Sequence, residues 1–404
     1  MTGKHVIILG AGASYSSGYP LNPELGRILS SPEGFEQYVR DQDAYPQLKQ
    51  KLIMELRKEE KWWRSFRDGR FDTVDEFSSQ FRDTLKPVVQ NLKWYTSWAF
   101  VLHNPQGNSG SCKRGDTTGP ESSDYLTFVK RLFKEGSPRL REDIAVLTYN
   151  YDAYFEFLLS CAFKGRLGDN HAQISTAWVS GLGDLDAHAL FGAKGFCFLK
   201  LHGTSVLPLF FPPNMHHAHP LTFNEAFVDR AQLGKLPDPV RVGRPPTPPI
   251  FFPWELITKR GGFLTEDAFW GVDGTKDNRV YYPVFKAIWK RAQQEITEAK
   301  KISFVGFSGH PFMEHGLWFL FKGRARQIKA GTKQPLEVVT ANPDSVPQGH
   351  RGNAPALGGH VDRLQKLLEA ACPGLTFADL PPGKPGLGKI ACYPDFRSFL
   401  YAEL

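Results

Sequence analysis

Four short apolar runs, each closed by a small or polar turn, constrain this chain more than any other feature. They are Val6–Leu9 before Gly10-Ala11-Gly12, Ile144–Leu147 before Thr148-Tyr149-Asn150, Ile302–Val305 before Gly306-Phe307-Ser308, and Leu336–Val339 before Thr340-Ala341-Asn342. Runs rich in Val, Ile and Leu, without polar alternation, suit strands buried on both faces, as in a parallel sheet. A fifth candidate, Phe196–Leu201, precedes His202-Gly203. Helical patterns lie between them. Phe285, Ile288, Trp289, Ala292, Ile296 and Ala299 recur at three- and four-residue steps and feed the Ile302 strand. A second helix is expected over Asp152–Phe163. Strand, turn and helix in repetition predict a doubly wound α/β fold, whose ligands bind at the carboxyl ends of the strands.

Several segments depart from this alternation. Residues 35–102 contain helix-compatible runs, Lys49–Phe66 and Val74–Val89, and read as a helical insertion. Residues 105–122 are rich in Gly, Ser, Thr and Asn and read as a mobile loop. Residues 208–253 are dense in proline and read as an extended excursion. One catalytic domain is therefore expected over residues 1–345. Residues 346–404 form a C-terminal extension of Gly/Pro-rich loops with one short helix near Val361–Ala371.

Composition narrows the functional classes. The 404 residues include 31 Phe, 13 Tyr and 9 Trp, enough for a sizeable core, so wholesale disorder is excluded. The net charge of +7 is compatible with an anionic ligand or partner. Cys112, Cys161, Cys197, Cys372 and Cys392 are scattered and include no C-x-x-C, which excludes a four-cysteine zinc knuckle. No stretch approaches eighteen uninterrupted apolar residues, and the N-terminal run is too short for a signal peptide. A soluble, cytoplasmic protein with no membrane span is expected.

Each turn carries candidate chemistry. Glycines after a strand, as in Gly10-Ala11-Gly12-Ala13-Ser14, let the backbone approach a pyrophosphate at a helix N-terminus. The dinucleotide fingerprint G-x-G-x-x-G would need glycine where Tyr15 stands, so a tight turn without ligand competes. Asn150 and Asp152, in Thr148-Tyr149-Asn150-Tyr151-Asp152, could hydrogen-bond a carboxamide, a ribose hydroxyl or a water. The competing reading is an Asx-turn with Asp152 capping the next helix. His202, in Lys200-Leu201-His202-Gly203-Thr204, is placed as a general base or as a structural histidine holding its loop. Gly306-Phe307-Ser308 and Ala341-Asn342-Pro343-Asp344 end two further strands. His216-His217-Ala218-His219 lies in the proline-rich excursion, without nearby cysteine, and reads as a solvated loop.

In this order, GAGxS…SGxP, T-x-N-x-D, L-H-G, a G-x-S strand end and a strand-terminal Asn, the motifs resemble those of sirtuins and their bacterial SIR2-like relatives. The resemblance runs from about Val6 to Asp344, and the T-x-N-Y-D and L-H-G-T forms are closest to the SIR2-like NADase branch. It implies a Rossmann-like sheet in which Gly10, Ala11, Gly12 and Ser14 line the pyrophosphate of NAD. It implies that Asn150 and Asp152 face the nicotinamide ribose, that His202 is the catalytic histidine, and that Gly306, Ser308 and Asn342 hold the adenosine end. Protein deacylases of the family carry a zinc module and Asp-Phe-Arg after the SGxP proline. This chain lacks the cysteines and has Leu21-Asn22-Pro23 after Pro20.

The expected activity is thus NAD⁺ glycohydrolysis to nicotinamide and ADP-ribose, with NAD as substrate and no metal. The resemblance extends the expectation to an abortive-infection effector in antiphage defence. It would be controlled by homo-oligomerisation or by a partner such as a HerA-type ATPase or a short Argonaute, without direct nucleic-acid binding. A protein deacylase or ADP-ribosyltransferase, and a non-catalytic NAD or ADP-ribose sensor, would use the same site.

Overall fold

A computed structural model describes residues 4–15, 19–38, 46–71, 73–81, 84, 86–102, 124–135, 140–152, 155, 174–176, 196–203, 250–252, 255, 281–307, 314–332, 334–342, 357–380, 384, 386–387 and 389–404. All five apolar runs are strands: β1 (Lys4–Leu9), β2 (Ile144–Thr148), β4 (Phe196–Lys200), β5 (Ala299–Val305) and β6 (Glu337–Ala341). Three further strands are β3 (Ile174–Thr176), β7 (Gly386–Leu387) and β8 (Ile390–Tyr393). They form one eight-stranded sheet in the order β3-β4-β2-β1-β5-β6-β8-β7. Every pairing is parallel except the β7–β8 hairpin at one edge. From β1 the chain runs to β2, then to the edge strand β3, inserts β4 between β2 and β3, and returns to β1's other side for β5 and β6. The strand order reverses between β1 and β5, the switch point of a doubly wound, Rossmann-like α/β fold.

Alternate strand residues feed two cores. Val6, Ile8, Ala145, Leu147, Ile302, Phe304 and Val338 face α9 (Tyr281–Glu298), α10 (Glu314–Lys329) and α11 (Leu357–Ala371), packing with Ile288, Leu320 and Leu364. Ile7, Leu9, Ile144, Val146, Val305 and Val339 pack on the other face with Tyr125 and Phe128 of α8 (Asp124–Arg131) and Phe399 of α12 (Phe396–Glu403). Continuous burial on both faces is what the unalternating apolar runs require. The α9 helix passes into β5 without a connecting loop, so that strand begins three residues before its apolar run.

The C-terminal region differs from its expectation. Instead of loops with one helix, it supplies the α11 helix, the β7–β8 hairpin and α12 to the same sheet. Ile390, Ala391, Cys392 and Tyr393 are all buried beside β6.

The helical insertion also differs in extent. After the single turn α1 (Gly12–Tyr15), helices begin at α2 (Asn22–Leu29) and α3 (Pro32–Tyr38), ahead of the expected boundary at residue 35. They continue through α4 (Pro46–Lys58), α5 (Glu60–Arg67), α6 (Val74–Phe81) and α7 (Lys86–Leu102). This layer has its own core, with Leu25, Leu56, Trp63, Phe77, Leu92 and Tyr95 at its centre. The loop at 105–122, the excursion over 208–249 and most of the helix expected after Asp152 lie outside the described residues. Among the described residues no helix is long and apolar enough to cross a membrane.

Candidate functional site

The parallel register aligns the strand ends. Leu9 pairs with Thr148 and Val305, Thr148 with Lys200, and Val305 with Ala341, so Gly10, Tyr149, Leu201, Gly306 and Asn342 all follow the last rung of the ladder. The ladder extends one step beyond the strands: Gly10 N donates to Val305 O (2.9 Å), Tyr149 N to Leu9 O (3.0 Å), Leu201 N to Thr148 O (2.8 Å) and Gly306 N to Ala341 O (2.7 Å). Five motifs distant in sequence thus arrive at one edge.

At the switch point the glycines meet each other. A Cβ on Gly10 would lie 2.4 Å from Gly306 O, and one on Gly12 would lie 2.8 Å from Gly306 Cα. Gly306 itself has φ +62°, and a Cβ there would fall 2.0 Å from Ala13 N. Gly12 N donates to Gly306 O (3.0 Å), and Ala13 N turns back to Gly10 O (2.9 Å). The glycine at each position is therefore explained by backbone packed on backbone at the β1–β5 seam.

Ser14 connects this turn to the next motif. Its Oγ donates to Asp152 Oδ2 (2.9 Å) and accepts from Asn150 Nδ2 (3.3 Å), while Ala11 O lies 3.3 Å away. The Asp152 carboxylate is thus engaged by Ser14 across the ends of β1 and β2. The Asn150 backbone N–H is held by Thr148 Oγ1 at 3.0 Å, fixing the turn locally. Lys200, buried at the end of β4, donates its ammonium to the Asp152 carbonyl. Asn150, Asp152 and Ser14 all lie below one-tenth exposure. Among the described residues Asn150 Oδ1 has no hydrogen-bond partner.

His202 sits in an aromatic box. Its ring meets Tyr149 edge-on at 4.8 Å and stacks on Tyr151 at 5.9 Å and 28°. Those two tyrosines flank Asn150 in sequence, so the histidine and the asparagine share one neighbourhood. His202 is 3% exposed, and burial lowers its pKa to about 3, keeping the imidazole uncharged. Among the described residues its Nε2 has no hydrogen-bond partner, and the buried Tyr149 hydroxyl has none either. An unpartnered buried polar group costs about 1–3 kcal/mol, and these three on neighbouring strand-end turns single this edge out as the candidate site. Trp289 Nε1 secures the strand below by donating to Leu201 O (3.0 Å).

Asn342 lies at the end of β6, where its amide donates to Phe307 O (3.5 Å) and reaches His360 Nδ1 (3.4 Å). His360 is anchored on Thr340 Oγ1 (3.1 Å) through its other nitrogen. Ser308 and the His216–His219 run lie outside the described residues.

Sequence reasoning missed the flanking residues Lys200, Tyr149, Tyr151 and His360. A lysine ending an apolar strand carries no mark of burial, and the tyrosines occupied the variable positions of the T-x-N-x-D pattern. Among the described residues no three His, Cys, Asp or Glu side chains form a potential metal group. The groups gathered at this edge are an amide, a neutral imidazole, hydroxyls and a carboxylate. Such groups can orient sugar hydroxyls and water and accept a proton. No protein-family model matches the chain, and no curated protein matches it in sequence.

Proposed function

We propose that this protein is an NAD⁺ glycohydrolase related to the SIR2-like NADases. The observation that carries the reading is the pair of buried, unpartnered atoms, Asn150 Oδ1 and His202 Nε2, at the carboxyl edge beside the switch point. Dinucleotides bind at that edge in doubly wound sheets. The residues present fit the substrate: Asn150 offers an acceptor to a ribose hydroxyl or to the attacking water. His202 offers an uncharged nitrogen lone pair beside a cationic nicotinamide, which a protonated imidazole would repel.

In the reaction the bond between the nicotinamide nitrogen and the ribose anomeric carbon breaks, and the bonding pair leaves with nicotinamide. Water forms the new C–O bond, and its proton passes to His202. Ser14 and Asp152 hold Asn150 in register, and Tyr149 and Tyr151 keep the imidazole oriented. Since the pyridinium is already a good leaving group, placement of the reactants supplies most of the required catalysis. A role in antiphage defence, and control by self-association or by a HerA-type ATPase or short Argonaute, belong to this proposal through the family resemblance.

The test is direct measurement of nicotinamide and ADP-ribose formed from NAD⁺, with and without acetylated peptide. His202→Ala is expected to reduce turnover by roughly 10²–10⁴-fold with an unchanged melting temperature. A folded His202→Ala protein with parental turnover would remove the histidine from the mechanism. O-acetyl-ADP-ribose in the peptide arm would replace hydrolysis by deacylation.

A further inference from the structure

We propose that the helical layer is a working part of the site: Lys93 on α7 and Asp75 on α6 are positioning residues that hold His202 from two sides. The proposal rests on reading His202 as the acid–base group, and it adds residues that the motif series does not contain.

The first hold acts through the main chain. The His202 carbonyl accepts from Phe251 N (2.9 Å), and Gly203 bridges Ile250 in antiparallel fashion. Residues 250–252 therefore splint the loop that carries the histidine. Phe251 is buried in the sheet core, whereas Phe252, its neighbour, is buried in the core of the helical layer. Glu255 fixes this crossing: its Oε2 accepts from Phe252 N (2.7 Å) and its Oε1 meets Lys93 Nζ at 2.5 Å. The Lys93 ammonium also lies 5.2 Å and 5.6 Å from the Phe251 and Phe252 ring centroids. Lys93 and Glu255 are each 1% exposed.

The second hold acts on the ring. Tyr151 stacks on the His202 imidazole, and its hydroxyl donates to Asp75 Oδ1 (3.4 Å) near the start of α6. Both holds thus originate in one layer, from adjacent helices, and converge on one residue of the sheet. A buried ion pair gives little stability beyond a well-packed apolar pair, but it demands one geometry. At Lys93 and Glu255 that geometry sets where the 250–252 splint lies, and through it the His202 main chain.

The experiment uses the full chain carrying Lys93→Met with Glu255→Gln. This double variant removes both charges and keeps an acceptor for Phe252 N–H. Two quantities are read: kcat and KM for NAD⁺, and the rate at which diethyl pyrocarbonate labels His202, mapped by mass spectrometry. Kcat is expected to fall about 10²-fold with KM little changed, because misplacing a reacting group costs rate rather than binding. Labelling of His202 is expected to rise about tenfold while the buried His5 and His360 stay at parental rates, a local opening rather than unfolding.

Tyr151→Phe keeps the ring, releases the hydroxyl from Asp75 and is expected to raise His202 labelling in the same selective way. It decides the matter should the double variant fail to fold. A folded double variant with parental kcat and parental His202 labelling overturns the proposal. A parent protein that turns over no NAD⁺ overturns the functional reading instead, and the labelling rates still decide the coupling.

Discussion

The sheet and the helical layer solve the same problem by different means. At the centre of the sheet backbone lies against backbone: Gly10, Gly12 and Gly306 leave no room for a Cβ, and the ladder continues past the strand ends. The helical layer is held instead by side-chain volume. Trp63 stacks on Phe77 at 5.0 Å, and Phe77, Phe81 and Phe71 pack within 4.9–5.6 Å of one another. Their buried titratable groups differ as well. The sheet side buries three histidines, His5, His202 and His360, with pKa values lowered by burial to about 3, 3 and 4. The helical layer half-buries Glu59, raised by desolvation to about 7, between Asn91 (2.6 Å) and the Tyr95 hydroxyl (3.3 Å). The site region is built where atoms are fixed by the main chain, and the layer that braces it is held by packed rings around the specific Lys93–Glu255 and Asp75–Tyr151 contacts.

The largest effect that could break this comparison is at the switch point. Gly306→Ala must accept a left-handed backbone and a collision with Ala13 N, which together should cost about 3–5 kcal/mol. Gly69, in the helical layer, has φ +70° but open space around it, so Gly69→Ala should cost only about 1 kcal/mol. Urea unfolding of both variants checks this; equal losses would mean that the glycine contacts matter no more than the sign of φ.

Acidification sharpens the comparison further. A histidine whose folded pKa lies below 6.5 binds fewer protons folded than unfolded, so its contribution is intact above pH 6.5. It is lost as pH falls toward its folded value. Each of the three histidines should lower stability by about 1.4 kcal/mol per pH unit within its window. Glu59 has the opposite sign: its folded form holds the proton longer, so between pH 7 and about 4.5 acid favours the fold. Glu255, also raised by burial, acts with it. Amide exchange at pH 7 and pH 5 should therefore show protection falling in β1 and β6 while α4, α5 and α7 hold or gain. Parallel loss in both regions would erase the distinction.

The smallest expected effect is at the sheet's margin. Asp395 caps α12 by accepting from Ser398 N at 2.6 Å, and Asp395→Ala should cost about 1 kcal/mol in thermal unfolding. A much larger loss would show that α12 contributes more to the β8 edge than a covering helix should.

The strands that could be read in the sequence are those buried on both faces, since Val6–Leu9 or Ile302–Val305 has no other reason to be uniformly apolar. β8 escaped because its buried run is Ile-Ala-Cys-Tyr, short and weak in β-branched residues, behind a stretch of glycine and proline. The Val74–Val89 run proved to be two helices, and Pro87 beside the start of α7 is the residue that should have divided it. At the candidate site, strand-end turns brought Asn150, Asp152 and His202 forward and the motif resemblance added Ser14; the parallel register sets those strand ends along a common edge. Lys93, Glu255 and Asp75 were invisible to the same reasoning. Their partners lie tens to hundreds of residues away, and an ionisable residue on a helix ordinarily signals solvent.

The pairing of β1 with β5 also governs the order in which this protein can come into being. At about 5–20 residues per second, the roughly 290 residues between Leu9 and Ala299 occupy a ribosome for on the order of 15–60 s. The helical layer draws nearly all its contacts from Leu25 to Phe100 and can condense early in that interval. The central strand has only β2 to pair with until β5 emerges, and Gly10 and Gly12 have nothing to close against. A nascent chain therefore carries most of its helical layer long before Phe252 and Glu255 complete it, and products truncated ahead of β5 lack the seam that closes on Gly10 and Gly12.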